Sequence, residues 1–180
     1  LVVKAKSLLD SVQGPTSFIM TVNAGKIPEE HWVQDPLVGG GRILGEGCHF
    51  IDLFRFLARS PIESADIISM DSKTGDTASI SLVFENGSIG VIHYFANGSK
   101  SYPKERLEIF SGERILQLDN FRRLEGYGWP NFRKMKLWRQ DKGQDACAKA
   151  FIQSVKSHSS APIPIEELLE VGRISIQLNG

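Results

Sequence analysis

The chain has 180 residues, 41% hydrophobic and 23% charged, enough for one well-filled core of ordinary composition. Its 21 basic and 21 acidic side chains cancel, which argues against a nucleic-acid partner and against anchoring on an anionic membrane. No run nears the roughly 18 apolar residues of a membrane span and no signal-peptide pattern opens the chain; two cysteines without framework spacing point to a reducing, cytoplasmic setting.

Leu1, Val2, Val3, Ala5, Leu8, Leu9 and Val12 form a helical stripe with no capping residue before it, so the chain reads as starting inside a helix, cut from something longer or processed. Gln13-Gly14-Pro15 stops that helix. Ser17 to Val22 alternates as a strand, and a loop then runs through Asn23-Ala24-Gly25, Trp32 and Asp35-Pro36 to Gly39-Gly40-Gly41. From Leu44 to Ala58, Phe50, Leu53, Phe54 and Leu57 share one face of a helix that Ser60-Pro61 ends.

Short alternating runs then suggest an antiparallel meander. Ala78, Ile80, Leu82 and Phe84 share a strand face, Asn86-Gly87 offers the positive φ angles of a tight turn, and Ile89 to Phe95 returns alongside. Asn97-Gly98 and Ser111-Gly112 punctuate further strands near Arg106 to Phe110 and Ile115 to Leu118, with another across Arg133 to Arg139. Two helices close the chain, Gln144 to Ser157 on Ala146, Ala150, Phe151 and Val155, and Ile165 to Ile176. The whole predicts one α+β domain over 1–180, a mostly antiparallel open sheet in two layers, covered by helices on one face.

The segment from Gly39 to Asp52 carries the candidate chemistry. Glycines before a helix let a ligand approach the backbone, and a helix start offers free N–H groups. At 100° per residue Glu46 falls within the apolar stripe and His49 at its border; three residues apart, they can touch, which would poise an imidazole to take a hydroxyl proton. On pattern alone an inert glycine turn with an ordinary helix histidine stands beside that reading. His93 reads as a hydrogen-bonded sheet histidine and the basic run from Arg133 to Lys142 as a solvated strand edge, while no paired spacing suggests a metal site.

This segment, with Asn23-Ala24-Gly25, His31-Trp32 and Asp35-Pro36, resembles the C-terminal domain of the Gfo/Idh/MocA oxidoreductases, in particular the branch found in bi-domain oxidoreductases of polysaccharide biosynthesis. The resemblance implies a fold like the C-terminal domain of glyceraldehyde-3-phosphate dehydrogenase, and an absent N-terminal Rossmann domain to which residues 1–13 would link. No G-x-G-x-x-G fingerprint follows a strand in this chain, in keeping with that absence.

The implied parent is an NAD- or NADP-dependent dehydrogenase moving a hydride at a secondary alcohol of a sugar or nucleotide sugar, inactive as this fragment. His49 matches the family's acid/base histidine. The family aspartate four residues earlier is Gly45 here, leaving Glu46 as its substitute. Asn23, His31, Trp32, Arg42 and Asp52 are the implied substrate contacts, Gly40 and Gly41 touch the cofactor, and copies pair as a dimer or tetramer through the open sheet face. Two alternatives are an NAD-dependent glycosidase of the same family and a stand-alone oligomerisation or sugar-binding module.

Overall fold

The computed structural model describes residues 1–35 and 37–179. Its frame is one eight-stranded open sheet in the order β2-β3-β4-β1-β5-β6-β7-β8. The strands are β1 (Ser17–Asn23), β2 (Ile62–Ser69), β3 (Ala78–Phe84), β4 (Ile89–Phe95), β5 (Glu105–Ser111), β6 (Arg114–Asp119), β7 (Arg123–Tyr127) and β8 (Lys134–Lys136). All neighbours run antiparallel except β1 and β4, so the first strand is inserted in the middle, splitting the expected meander between β4 and β5.

The alternation that marked the strands decides what each face meets. Phe18, Met20 and Val22 of β1, Ile80 and Leu82 of β3, Ile92 and Tyr94 of β4 and Leu107 and Ile109 of β5 are buried on one face. That face is covered by α1 (Val2–Leu9) and by α2 (Cys48–Ala58), with α4 (Ile165–Leu178) packed on α2. Phe54 of α2 stacks on Phe18 with ring centroids 5.1 Å apart and is fully buried, removing an aromatic surface worth about 2–3 kcal/mol from water. Beneath it Gly90 has no room for a side chain, since a Cβ there would lie 2.4 Å from the Phe54 ring.

Several expectations change in detail. Asn86-Gly87 does join β3 to β4, but only Gly87 takes a positive φ, +80°. Asn86 instead bonds through its side chain, accepting from Ser88 N–H and donating to the Ala58 carbonyl. Asn97-Gly98 closes no hairpin, because β4 and β5 are not neighbours. β2 and β7 carried too little apolar alternation to stand out, and are held by pairing to β3 and β6. His93 lies with Ile89, Val91 and Phe95 on the face away from the helices, and its Nδ1 meets Ser79 Oγ at 2.9 Å.

The terminal helices depart most. α3 (Gln144–Lys156) leaves Phe151, Ile152 and Val155 exposed, and α4 leaves Ile165, Leu168, Leu169 and Ile176 exposed, although its Val171, Ile174 and Leu178 are buried. The apolar side of α3 therefore covers nothing among the described residues. What fixes α4 is Arg55, whose Nε lies 3.1 Å from Glu170 on α4, while Ile62 N–H donates to the same carboxylate. No helix of the described residues is long and apolar enough to cross a membrane.

Candidate functional site

The loop leading to α2 is knotted by its own backbone. Gly39 and Gly40 N–H donate to the Asp35 carbonyl at 2.8 and 3.0 Å, and Gly41 N–H to Val33 at 2.9 Å. A Cβ on Gly39 would sit 2.4 Å from Val33 Cα, so only glycine closes the knot. Gly40 and Gly41 adopt φ of +67° and +86°. Their amides are engaged within the loop, so what they offer a ligand is close approach and not the free donors expected from the sequence.

The expected α-helix from Leu44 begins instead with a π turn over Ile43–Gly47, passing into α2 at Cys48. The wider turn breaks the 100° phase used to place Glu46. Its carboxylate accepts from the Tyr94 hydroxyl and from Lys104 Nζ, with Arg42 Nη2 at 3.4 Å. The expected Glu46–His49 hydrogen bond is absent among the described residues, because the carboxylate is held toward the sheet. Burial alone would raise the Glu46 carboxyl, but the bonds from Lys104 and Tyr94 and the charges of Lys104 and Arg42 outweigh it and hold it below the ordinary range.

Arg42 is buried and its donors are engaged by the protein: Nη1 reaches the Gly25 carbonyl at 2.7 Å, Nη2 the Ala24 carbonyl at 3.3 Å, and Asp76 lies 3.9 Å away. The guanidinium also stands 5.3 Å over the Tyr94 ring. Asn23 donates through Nδ2 to the carbonyls of Ser99 and Tyr102, clamping the 97–104 loop onto the end of β1. These three, Asn23, Arg42 and Glu46, thus come together at the C-terminal end of β1.

His49 stands apart from that network. It is exposed in the first turn of α2, three residues before Asp52, whose carboxyl feels its charge. In the π turn before it, nothing lies within 4 Å of where a Gly45 Cβ would be, so that position opens into free space. Asp52 is half-buried; burial, reinforced by Glu167, pushes its carboxyl up against the opposing pull of His49 and Arg55. His31 and Trp32 form an exposed pair, rings 5.9 Å apart, in which His31 Nδ1 caps the Trp32–Gln34 turn by accepting from Val33 N–H. Gln34 ties that turn to Asp76 at 3.0 Å. Pro36, part of the sequence motif, lies outside the described residues.

The sequence reading missed Tyr94, Lys104 and Asp76. A phenol on the buried parity of β4 was a usable signal, since a buried hydroxyl needs a partner. Lys104 and Asp76 carried none, being brought in from 58 and 34 residues away along the chain by the topology. Among the described residues no three His, Cys, Asp or Glu side chains are grouped to hold a metal ion.

With this geometry in hand, the chain can be set beside known proteins. Solved structures share the fold: an oxidoreductase domain protein from Kribbella flavida (TM-score 0.79, 16% identity, covering 98% of this chain and 60% of that one); an aldose-aldose oxidoreductase from Caulobacter crescentus complexed with glycerol (0.78, 13%, 98% and 56%); and a UDP-N-acetylglucosamine 3-dehydrogenase from Acidithiobacillus ferrooxidans (0.73, 15%, 94% and 54%). The chain therefore spans a little over half of each. No curated protein matches it in sequence. The family profile described as the GFO/IDH/MocA C-terminal domain matches residues 3–115, which include β1, the glycine knot, His49 and the strands through β5, and the chain belongs to that family.

Proposed function

We propose that this domain is the substrate-binding and catalytic half of an NAD- or NADP-dependent dehydrogenase that oxidises a secondary alcohol of a sugar or nucleotide sugar. The observation that carries the reading is the exposed His49, set at the start of α2 after the glycine knot and the open π turn at Gly45, with Asp52 near enough to feel its charge. An imidazole there can take the hydroxyl proton from a substrate seated against the Gly45 side of the turn. Glu46 remains ionised in its cage, so its part is to hold the π turn against β4 and β5. Asp52, three residues from His49, is the carboxylate available to orient the ring. Asn23 and Arg42 support the substrate site indirectly, by fixing the turn at the end of β1, while His31 and Trp32 present an exposed aromatic surface to it.

The residues of this chain fit only the edge of a dinucleotide. Gly40 and Gly41 permit close backbone approach beside Asn179, but the parallel pair β1–β4 has no glycine-rich strand-to-helix turn of the phosphate-cradling kind. A bound nicotinamide supplies the hydride acceptor. A Rossmann domain of the same polypeptide, joined through residues 1–13, would hold it and cover the apolar sides of α3 and α4. Pairing through the open sheet face and a cytoplasmic location complete the reading. The test is His49→Ala in a parent carrying both domains, assayed for NADH formation with nucleotide sugars. Unchanged kcat in that variant removes His49 from the chemistry.

A further inference from the structure

The turn at the C-terminal end of β1 gathers cations. Arg42 holds the Ala24 and Gly25 carbonyls from within, so the oxygens that would repel an anion point inward onto a guanidinium. On the other side of Gly25 lies the stem of Lys100, whose Cγ is 2.8 Å from where a Cβ would be; only glycine, at φ +66°, admits it. Lys104 joins from β5's start, its ammonium bonded to Glu46 and its side chain 40% exposed, so Glu46 takes one of its three donors. Lys26 follows Gly25 in the chain and is exposed. Around this turn Arg42 and Lys104 share the carboxylates of Glu46 and Asp76, while Lys26 and Lys100 form no ion pair among the described residues, in a chain whose net charge is zero.

We infer that this turn, walled by Lys100 and Lys104, receives an anionic group of the substrate, a phosphate or a carboxylate carried away from the carbon that reacts. The inference rests on the proposed function in taking the exposed surface around the π turn and His49 as the substrate site, and it narrows the substrate class from sugars in general to charged ones. A Lys104 ammonium already held by Glu46 and a Lys100 stem already packed against Gly25 lose less freedom when an anion arrives than two free surface lysines would. A neutral polyol would gain nothing from the excess charge.

The experiment is a nitrogen-15 NMR titration of the 180-residue chain at low salt with inorganic pyrophosphate, glucuronate and glucose in parallel. Saturable shifts at Gly25, Ser101 and Lys104 amides are expected with pyrophosphate or glucuronate and not with glucose. Pyrophosphate alone identifies a phosphate-bearing substrate, glucuronate alone a carboxylate-bearing one. Lys100→Met, whose side chain is exposed, and Lys104→Met should each weaken that anion about tenfold. Where Lys104→Met fails to fold because Glu46 loses its partner, Lys100→Met carries the test. Absence of saturation, equal response to glucose, or unaltered affinity in Lys100→Met overturns the inference. The two readings part cleanly: anion binding in a parent still active as His49→Ala sinks only the proposed reaction, and an inactive His49→Ala parent without anion binding sinks only this inference.

Discussion

The Tyr94 hydroxyl, on a residue of the central sheet with no exposed surface, donates to the Glu46 carboxylate at the start of the helix that bears His49. This bond fastens the π turn to the sheet. Burial and the adjoining carboxylate push the Tyr94 hydroxyl far above its ordinary value, so it remains a donor at any physiological pH.

Tyr94→Phe deletes that donor and leaves Lys104 and Arg42 as the partners of Glu46. The expected loss is about 1–2 kcal/mol of folding stability, read as a lower urea midpoint at unchanged slope. A midpoint equal to that of the parent chain shows that the bond contributes nothing net.

The Glu46 carboxyl titrates below its unfolded value, so its contribution to stability is present above the ordinary glutamate range and is lost as pH falls through the lower folded value. Glu46→Gln should therefore be less stable than the parent at pH 7, with the difference closing in strongly acid solution. Urea unfolding of both at pH 7 and pH 3 checks the sign.

Asp52 behaves oppositely. Its folded carboxyl is raised, so the charged form is disfavoured in the fold; that cost is present above the raised value and gone below the ordinary aspartate range. Asp52→Asn is expected to stabilise the fold at neutral pH and to give no gain in acid, read from urea midpoints at pH 7 and pH 3. If Asp52 orients His49, the same substitution lowers kcat in a two-domain parent, a stability gained at the expense of turnover.

Gly90→Ala forces a methyl group to within 2.4 Å of the Phe54 ring, which is wedged between α2 and Phe18. Neither ring nor strand can yield freely, and a loss of about 1–3 kcal/mol is expected. Pairing it with Phe54→Leu should recover part of that loss; strict additivity of the two changes would show that the ring is not the obstacle.

Much of the fold was legible in the chain itself because strand alternation and helical stripes are local records of which side meets the core. Phe18, Met20 and Val22, and Phe50, Phe54 and Leu57, are buried as their spacing required. The motif from Gly39 to Asp52 likewise identified the family without any contact being known. Three things needed the tertiary structure. The parallel insertion of β1 beside β4 depends on long-range pairing that neither strand announces. The π turn depends on Glu46 being drawn to Tyr94 and Lys104, partners 48 and 58 residues away, whose pull overrides the regular helical phase. The exposed apolar sides of α3 and α4 look in sequence like any core-facing stripe, because periodicity records that a face is apolar and not whether this chain supplies the surface that covers it.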